Sequence, residues 1–179
     1  MLLPENYQGQ EPYDDCVNFI CEKFDEAAKG LPATRTGAQA NEFGLATSVV
    51  AKAMKAKMLL YAASPLINGN SKFYSDFKDK SGNALMPLTY DATKWQKAAD
   101  AFKEAIAAAE SAGYHLYDRG DCKLNKNGFP ADPHVRALRY TITDYSAEDE
   151  PAGANPEVIW ADSRGEGYYG LQNKSIPYI

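Results

Sequence analysis

Apolar residues return with a helical period in three stretches of the chain. In the first, Val17, Ile20, Cys21, Phe24, Ala27, Ala28 and Leu31 share one face, which predicts a helix from about Tyr13 to Lys29. Gly30 and Pro32 end it. The second runs from about Thr47 to Ala63. Val49, Ala53, Ala56, Leu60 and Ala63 keep one stripe, and Val50, Met54 and Tyr61 widen it. A wide stripe predicts contact on more than one side, so this helix is expected at the centre. Pro65 stops it, because proline lacks the amide donor and pushes Ser64 out of the helical region. The third begins at Thr93, where Thr93 and Gln96 have capping-box spacing. Trp95, Ala98, Ala99, Phe102, Ile106 and Ala109 are expected to form its buried face, and Gly113 its left-handed stop.

The segments between these helices lack such periodicity. Residues Ala33 to Gly44 read as a polar loop. The insert from Leu66 to Tyr90, with Asn68-Gly69, Ser81-Gly82-Asn83 and Pro87, reads as an irregular connection longer than bundles usually carry. After Gly113 the texture changes. Tyr114 to Pro133 is turn-rich, Val135 to Tyr145 suits a short strand or a helix, and Glu157 to Ala161 (EVIWA) reads as a strand. The stretch Glu148 to Pro156 is an acidic loop, and the glycine- and tyrosine-rich tail from Ser163 to Ile179 ends without a closing element. Such a tail is expected of a piece of a longer protein. Helix pairs with alanine and large apolar residues are similar to tetratricopeptide units, although their intervals are irregular, and a plain bundle fits the same pattern.

Composition narrows the partners. The 179 residues are 45% hydrophobic and 24% charged, which suits a folded chain with a core. A net charge of -5, with lysines dispersed among acids, argues against a nucleic-acid partner. No run approaches the length of a membrane-spanning helix, and Met1 to Glu5 does not read as a signal peptide. Cys16, Cys21 and Cys122 form no metal pattern. The first two lie about 7.5 Å apart along a helix axis and cannot bridge, so buried structural thiols are expected.

Catalytic constellations are missing from the pattern. His115 and His134 sit in no metal-ligand spacing, no GxSxG elbow occurs, and Cys122 has no local signature of a base. Asn125-Lys126-Asn127-Gly128 fails as a calcium loop at Lys123 and again at His134, and reads as a turn. No enzymatic activity, cofactor or metal is therefore expected. What remains is a binding surface. Trp160, Arg164, Tyr168 and Tyr169 combine aromatic faces with a planar cation in a glycine-rich stretch. Sugar rings stack C–H faces on aromatics and offer hydroxyls to polar groups, so this composition suits a carbohydrate or peptide ligand. The competing expectation places Trp160 in the core on a strand and leaves the tyrosines as packing.

Four segments in order then carry a resemblance. They are YDDCVNFICEKFDEAAKGLP, LATSVVAKAMKAKMLLYAASPLING, KWQKAADAFKEAIAAAESAGYHLYD and NPEVIWA. The chain looks like the central part of SusD/RagB family proteins, most specifically at Leu59 to Leu66 with Asn68-Gly69, at Lys94-Trp95 leading Ala98-Ala99, at Tyr114 to Tyr117 and at Asn155 to Trp160. Leu45-Ala46-Thr47-Ser48 departs from the family's usual Arg-Ala-Thr-Lys-Gly, and Trp160 stands where phenylalanine is more usual. The match covers most of residues 12 to 161.

The resemblance implies a mainly α fold: tetratricopeptide-like helical pairs in an α-α superhelix, long irregular loops and a short β segment. It implies one partial domain, with a helical scaffold over about 12–113 and a loop-rich, ligand-facing region over about 114–179. It also implies a lipoprotein on the outer face of a Bacteroidetes outer membrane. Such a protein captures glycans, or sometimes peptides, for a SusC-like TonB-dependent transporter, does no chemistry and needs no cofactor. The family's signal peptide and lipid-bearing cysteine are not in this sequence, so any membrane attachment would lie outside it. Family sites lie in variable loops, so Trp160, Arg164, Tyr168 and Tyr169 remain hypotheses from composition. The runner-up is a helical-repeat module that binds protein or peptide without glycan specificity.

Overall fold

Thr47 shows how the local sequence starts a helix here. Its extended backbone lets the hydroxyl accept from Val50 N at 3.2 Å, satisfying a donor that the first turn leaves unpaired. In the computed structural model, which describes residues 9–35, 42, 44–118, 131–143 and 155–160, the helices are α1 (Tyr13–Gly30), α2 (Ser48–Ala63), α3 (Ser71–Tyr74), α4 (Thr93–Ser111) and α5 (Pro133–Thr143). The protein is mainly helical, and the β structure among the described residues is one isolated bridge between Lys78 and Ala84. The chain forms two compact units, one of residues Met1–Thr34 and Ala46–Tyr117, the other of Arg35–Leu45 and Asp118–Ile179.

In the first unit α2 packs against both α1 and α4, as its wide apolar stripe predicts. On the α1 side, Val17 and Cys21 meet Ala62, flanked by Tyr13, Met58 and Leu59. Burial raises the pKa of the Cys21 thiol above its ordinary value, and desolvation does the same to the Tyr13 phenol. The α4 side is built from small residues. Ala56 and Ala63 are fully buried on α2, and Ala98, Ala101, Ala105 and Ala109 are the buried positions of α4. This corrects the expected face of α4. Ala98 and Ala109 are buried as predicted, but Trp95 and Ile106 are 40% and 56% exposed. Large side chains at the seam would hold the helix axes apart, so the alanine stripe is the one that allows close packing. Ion pairs fasten the layer: Lys55 to Asp25 at 2.6 Å, Lys94 to Asp14 at 2.7 Å, and Lys52 to Glu104.

The helix ends follow local chemistry. Gly113, with φ +91°, turns the chain left-handed, and Tyr114 N returns to Ala109 O at 3.0 Å. Gln96 makes no capping box and instead donates to Asp100. Asp91 does the capping, its Oδ1 accepting from Thr93 N at 2.8 Å and Thr93 Oγ1 at 2.7 Å. A carboxylate is the stronger acceptor and suits the positive end of the helix dipole. Val135 to Tyr145, open between strand and helix in the sequence, belongs largely to α5. Pro133 opens it at a position where a missing amide costs nothing, behind Asp132, whose Oδ1 accepts from His134 N and Val135 N.

The long insert is tied shut at its base. Asn68, 3% exposed, donates Nδ2 to Asp91 O at 2.8 Å and accepts from Asp91 N at 3.0 Å. Next to it, Gly69 N donates to Pro87 O at 3.0 Å. Gly69 has φ +76°, and a Cβ there would lie 2.6 Å from Tyr90 N, so glycine is required both for its backbone and for its space. Within the insert, Asp79 accepts from Ser81 N, Asn83 N and Asn83 Nδ2, which builds a closed turn.

Three outcomes follow for stability. Ala56→Leu should overpack the seam and cost about 1–3 kcal/mol in urea unfolding followed by circular dichroism. Asn68→Ala strands two backbone groups of Asp91 and should cost about 1–3 kcal/mol in the same measurement. The Asp91 carboxyl is held below its ordinary value, first by the Thr93 hydroxyl and then by the Thr93 amide. The folded state therefore binds this proton more weakly than the unfolded chain. The stabilisation is complete above the usual carboxylate range and is lost as pH falls through the lowered value. Acid titration of the melting temperature should show this loss, and Asp91→Ala should flatten it.

Candidate functional site

Trp160 lies in the second unit, in irregular backbone just past a turn at Pro156 and Glu157 rather than on a strand. Asn155, 4% exposed, sets that turn: its Oδ1 accepts from Glu157 N at 3.0 Å and its carbonyl from Val158 N at 3.2 Å. Amides used locally in this way are not offered to a ladder, so the strand expected over EVIWA does not form across its described residues, 157–160. The Asn155 Nδ2 also donates to Thr141 O at 3.0 Å, which ties the turn to the last part of α5. Asn155 thus anchors the turn that precedes Trp160.

Among the described residues the indole is held by one hydrogen bond, at its polar edge. Trp160 Nε1 donates to Gly44 O at 2.7 Å, and the residue remains 57% exposed. Gly44 sits at φ +91° beside a turn closed by Leu45 N to Glu42 O at 3.1 Å. Arg35 Nη1 binds Glu42 Oε2 at 2.8 Å and braces the same loop. The expectation that Trp160 is core is therefore corrected. Its polar edge is satisfied by the protein while more than half of the residue stays exposed, which suits an amphipathic ring at a ligand surface. Arg164, Tyr168 and Tyr169 lie outside the described residues, so Trp160 alone of the four has a described position.

Gly44, Glu42 and Arg35 had no signal in the sequence as neighbours of Trp160, since 116 positions separate the two ends of the indole hydrogen bond. The described histidines act locally. His115 Nδ1 lies 3.2 Å from Gly113 O, and His134 belongs to the first turn of α5. The Asp132 carboxyl is held below its ordinary value by the amides of Val135 and His134, which explains it as a helix cap. Among the described residues no three His, Cys, Asp or Glu side chains are grouped to hold a metal ion. Cys16 and Cys21 are free thiols, and Cys122, the turn at Asn127-Gly128 and the acid run Glu148 to Glu150 lie outside the described residues.

No family model matches the chain, and no curated protein does. Solved structures do. A structure named BT4246, a Bacteroides thetaiotaomicron protein, is 35% identical, with a TM-score of 0.63, over 79% of this chain and 25% of its own. A second, named selenomethionine BT4246, is 44% identical with a TM-score of 0.55 over 64% of this chain and 19% of its own. The chain therefore spans a quarter or less of the length of these structures, and it is similar to a stretch of a Bacteroides protein with which it shares its helical fold.

Proposed function

We propose that this chain is part of a SusD/RagB-like protein that captures glycan at the cell surface and passes it to a SusC-like TonB-dependent transporter. The observation that carries this proposal is the coincidence of the ordered motifs with the fixed contacts of the scaffold. The run Leu59 to Leu66 floors and ends the central helix, Asn68-Gly69 forms the clasp, Lys94 pairs with Asp14, and Asn155 sets the turn before Trp160. Tyr117, in the third matching segment, is 8% exposed, and Tyr114 Oη lies 3.3 Å from Thr34 Oγ1. Similarity to a Bacteroides protein supports the same assignment.

In this proposal α1 with α2, and α2 with α4, are the tetratricopeptide-like pairs. The ligand is held by the second unit, with Trp160 stacking on a sugar face and Arg164, Tyr168 and Tyr169 completing the contact. The protein sits on the outer face of the outer membrane through a lipid anchor. No helix among the described residues is long and apolar enough to cross a membrane.

Binding on a glycan array, followed by calorimetry with whichever glycan is retained, tests the ligand class. Trp160→Ala should weaken that binding about tenfold, the loss of one good stacking contact, without changing the melting temperature. Retention of peptides and of no glycan would remove the carbohydrate assignment. Failure to copurify with an outer-membrane transporter would remove the partner.

A further inference from the structure

Trp160 is where two distant stretches of the second unit meet, and they hold it differently. Its backbone follows the turn that Asn155 ties to Thr141 O, while its side chain reaches Gly44 O at 2.7 Å. More than half of the residue is exposed, so water competes for both partners of that hydrogen bond. A bond of this kind orients a ring best when its acceptor is fixed before the ring arrives.

Three features fix the acceptor. Leu45 N donates to Glu42 O at 3.1 Å, which closes a turn with Gly44 at its third position. Gly44 takes φ +91° there, the left-handed conformation that a type II turn requires at that place and that glycine adopts without steric cost. Arg35 Nη1 then binds Glu42 Oε2 at 2.8 Å and ties the first residue of the turn to an earlier part of the chain. The Arg35 side chain is the more buried of the pair, 22% exposed against 44%, and so forms the firmer end.

This arrangement bears on binding in two ways. A tryptophan free to rotate loses side-chain freedom when a ligand covers it, whereas a seated one has less to lose. The bond to Gly44 also occupies the indole N–H, the ring's only donor, and leaves recognition by this residue to its carbon surface. From this chain of contacts we infer that the turn closed by Leu45 on Glu42 is the seat of a ligand-facing tryptophan. Gly44 supplies the acceptor, and Arg35 and Glu42 are positioning residues that act on Trp160 through the turn. The seat rests on the glycan reading for what the ring meets, but it is tested without any ligand.

Hydrogen exchange at the two indole N–H groups of the full chain, told apart by Trp95→Phe, is that test. The Trp160 N–H should exchange more slowly than a free indole. Glu42→Ala should speed it about twofold to fivefold, the worth of an exposed ion pair, and Gly44→Ala about fivefold or more, the cost of left-handed backbone beside a Cβ. Glu42→Gln keeps an acceptor for Arg35 and should exchange more slowly than Glu42→Ala. Asn68→Ala weakens the first unit instead and should leave the Trp160 N–H unchanged. Exchange that ignores both Glu42→Ala and Gly44→Ala would overturn the inference. So would an equal change in Asn68→Ala, which would mark a general loss of stability. With a glycan retained on the array, both turn variants should weaken binding, and unchanged affinity beside a faster indole would overturn the positioning role. An array that retains no glycan would count against the glycan reading alone, because the indole exchange judges the seat by itself.

Discussion

The close approach of α2 and α4 through alanine governs the rest of the scaffold. A seam of small side chains buries little apolar area per residue, so its stability depends on backbone proximity and dense dispersion contacts. That requirement decides which face of α4 turns inward. It leaves Trp95 and Ile106 partly in solvent and places Lys52 opposite Glu104 at the margin of the contact. Because α2 also receives α1, it serves two neighbours. One packing constraint thus accounts for the core and for the exposure of Trp95 and Ile106.

Much of the scaffold was legible in the residues. Periodicity located α1, α2 and α4 to within a residue or so, and the width of the α2 stripe indicated its central place. The face of α4 was not legible, because two apolar stripes lie side by side on it and hydrophobicity favours the one with the larger residues. Only the geometry of the partner helix selects the alanines. The capping box at Thr93 failed for a related reason. Spacing nominates Gln96, while Asp91, two residues earlier, offers the same amide a charged acceptor.

The candidate site was legible in composition and not in placement. The identity of Trp160 as an aromatic worth weighing came from its neighbours in sequence, yet EVIWA looks like a strand wherever Asn155 is ignored. An asparagine that uses its side chain to collect nearby amides converts a β-like run into a turn. The contact with Gly44 depends on chain closure over a distance that no local pattern encodes.

The Asn68–Asp91 clasp also separates two evolutionary tasks. By fixing both ends of the insert against the scaffold, it leaves the residues between them outside the register of α2 and α4. Loop closure depends only logarithmically on length, so doubling such a segment costs only about 0.6 kcal/mol in chain entropy. Substitution or extension within it is therefore felt by the helices chiefly where the buried Leu85 accepts from Tyr13 N at the start of α1, at 2.8 Å. With a buried asparagine holding its base, the insert can vary at its exposed positions without shifting the helices that it joins.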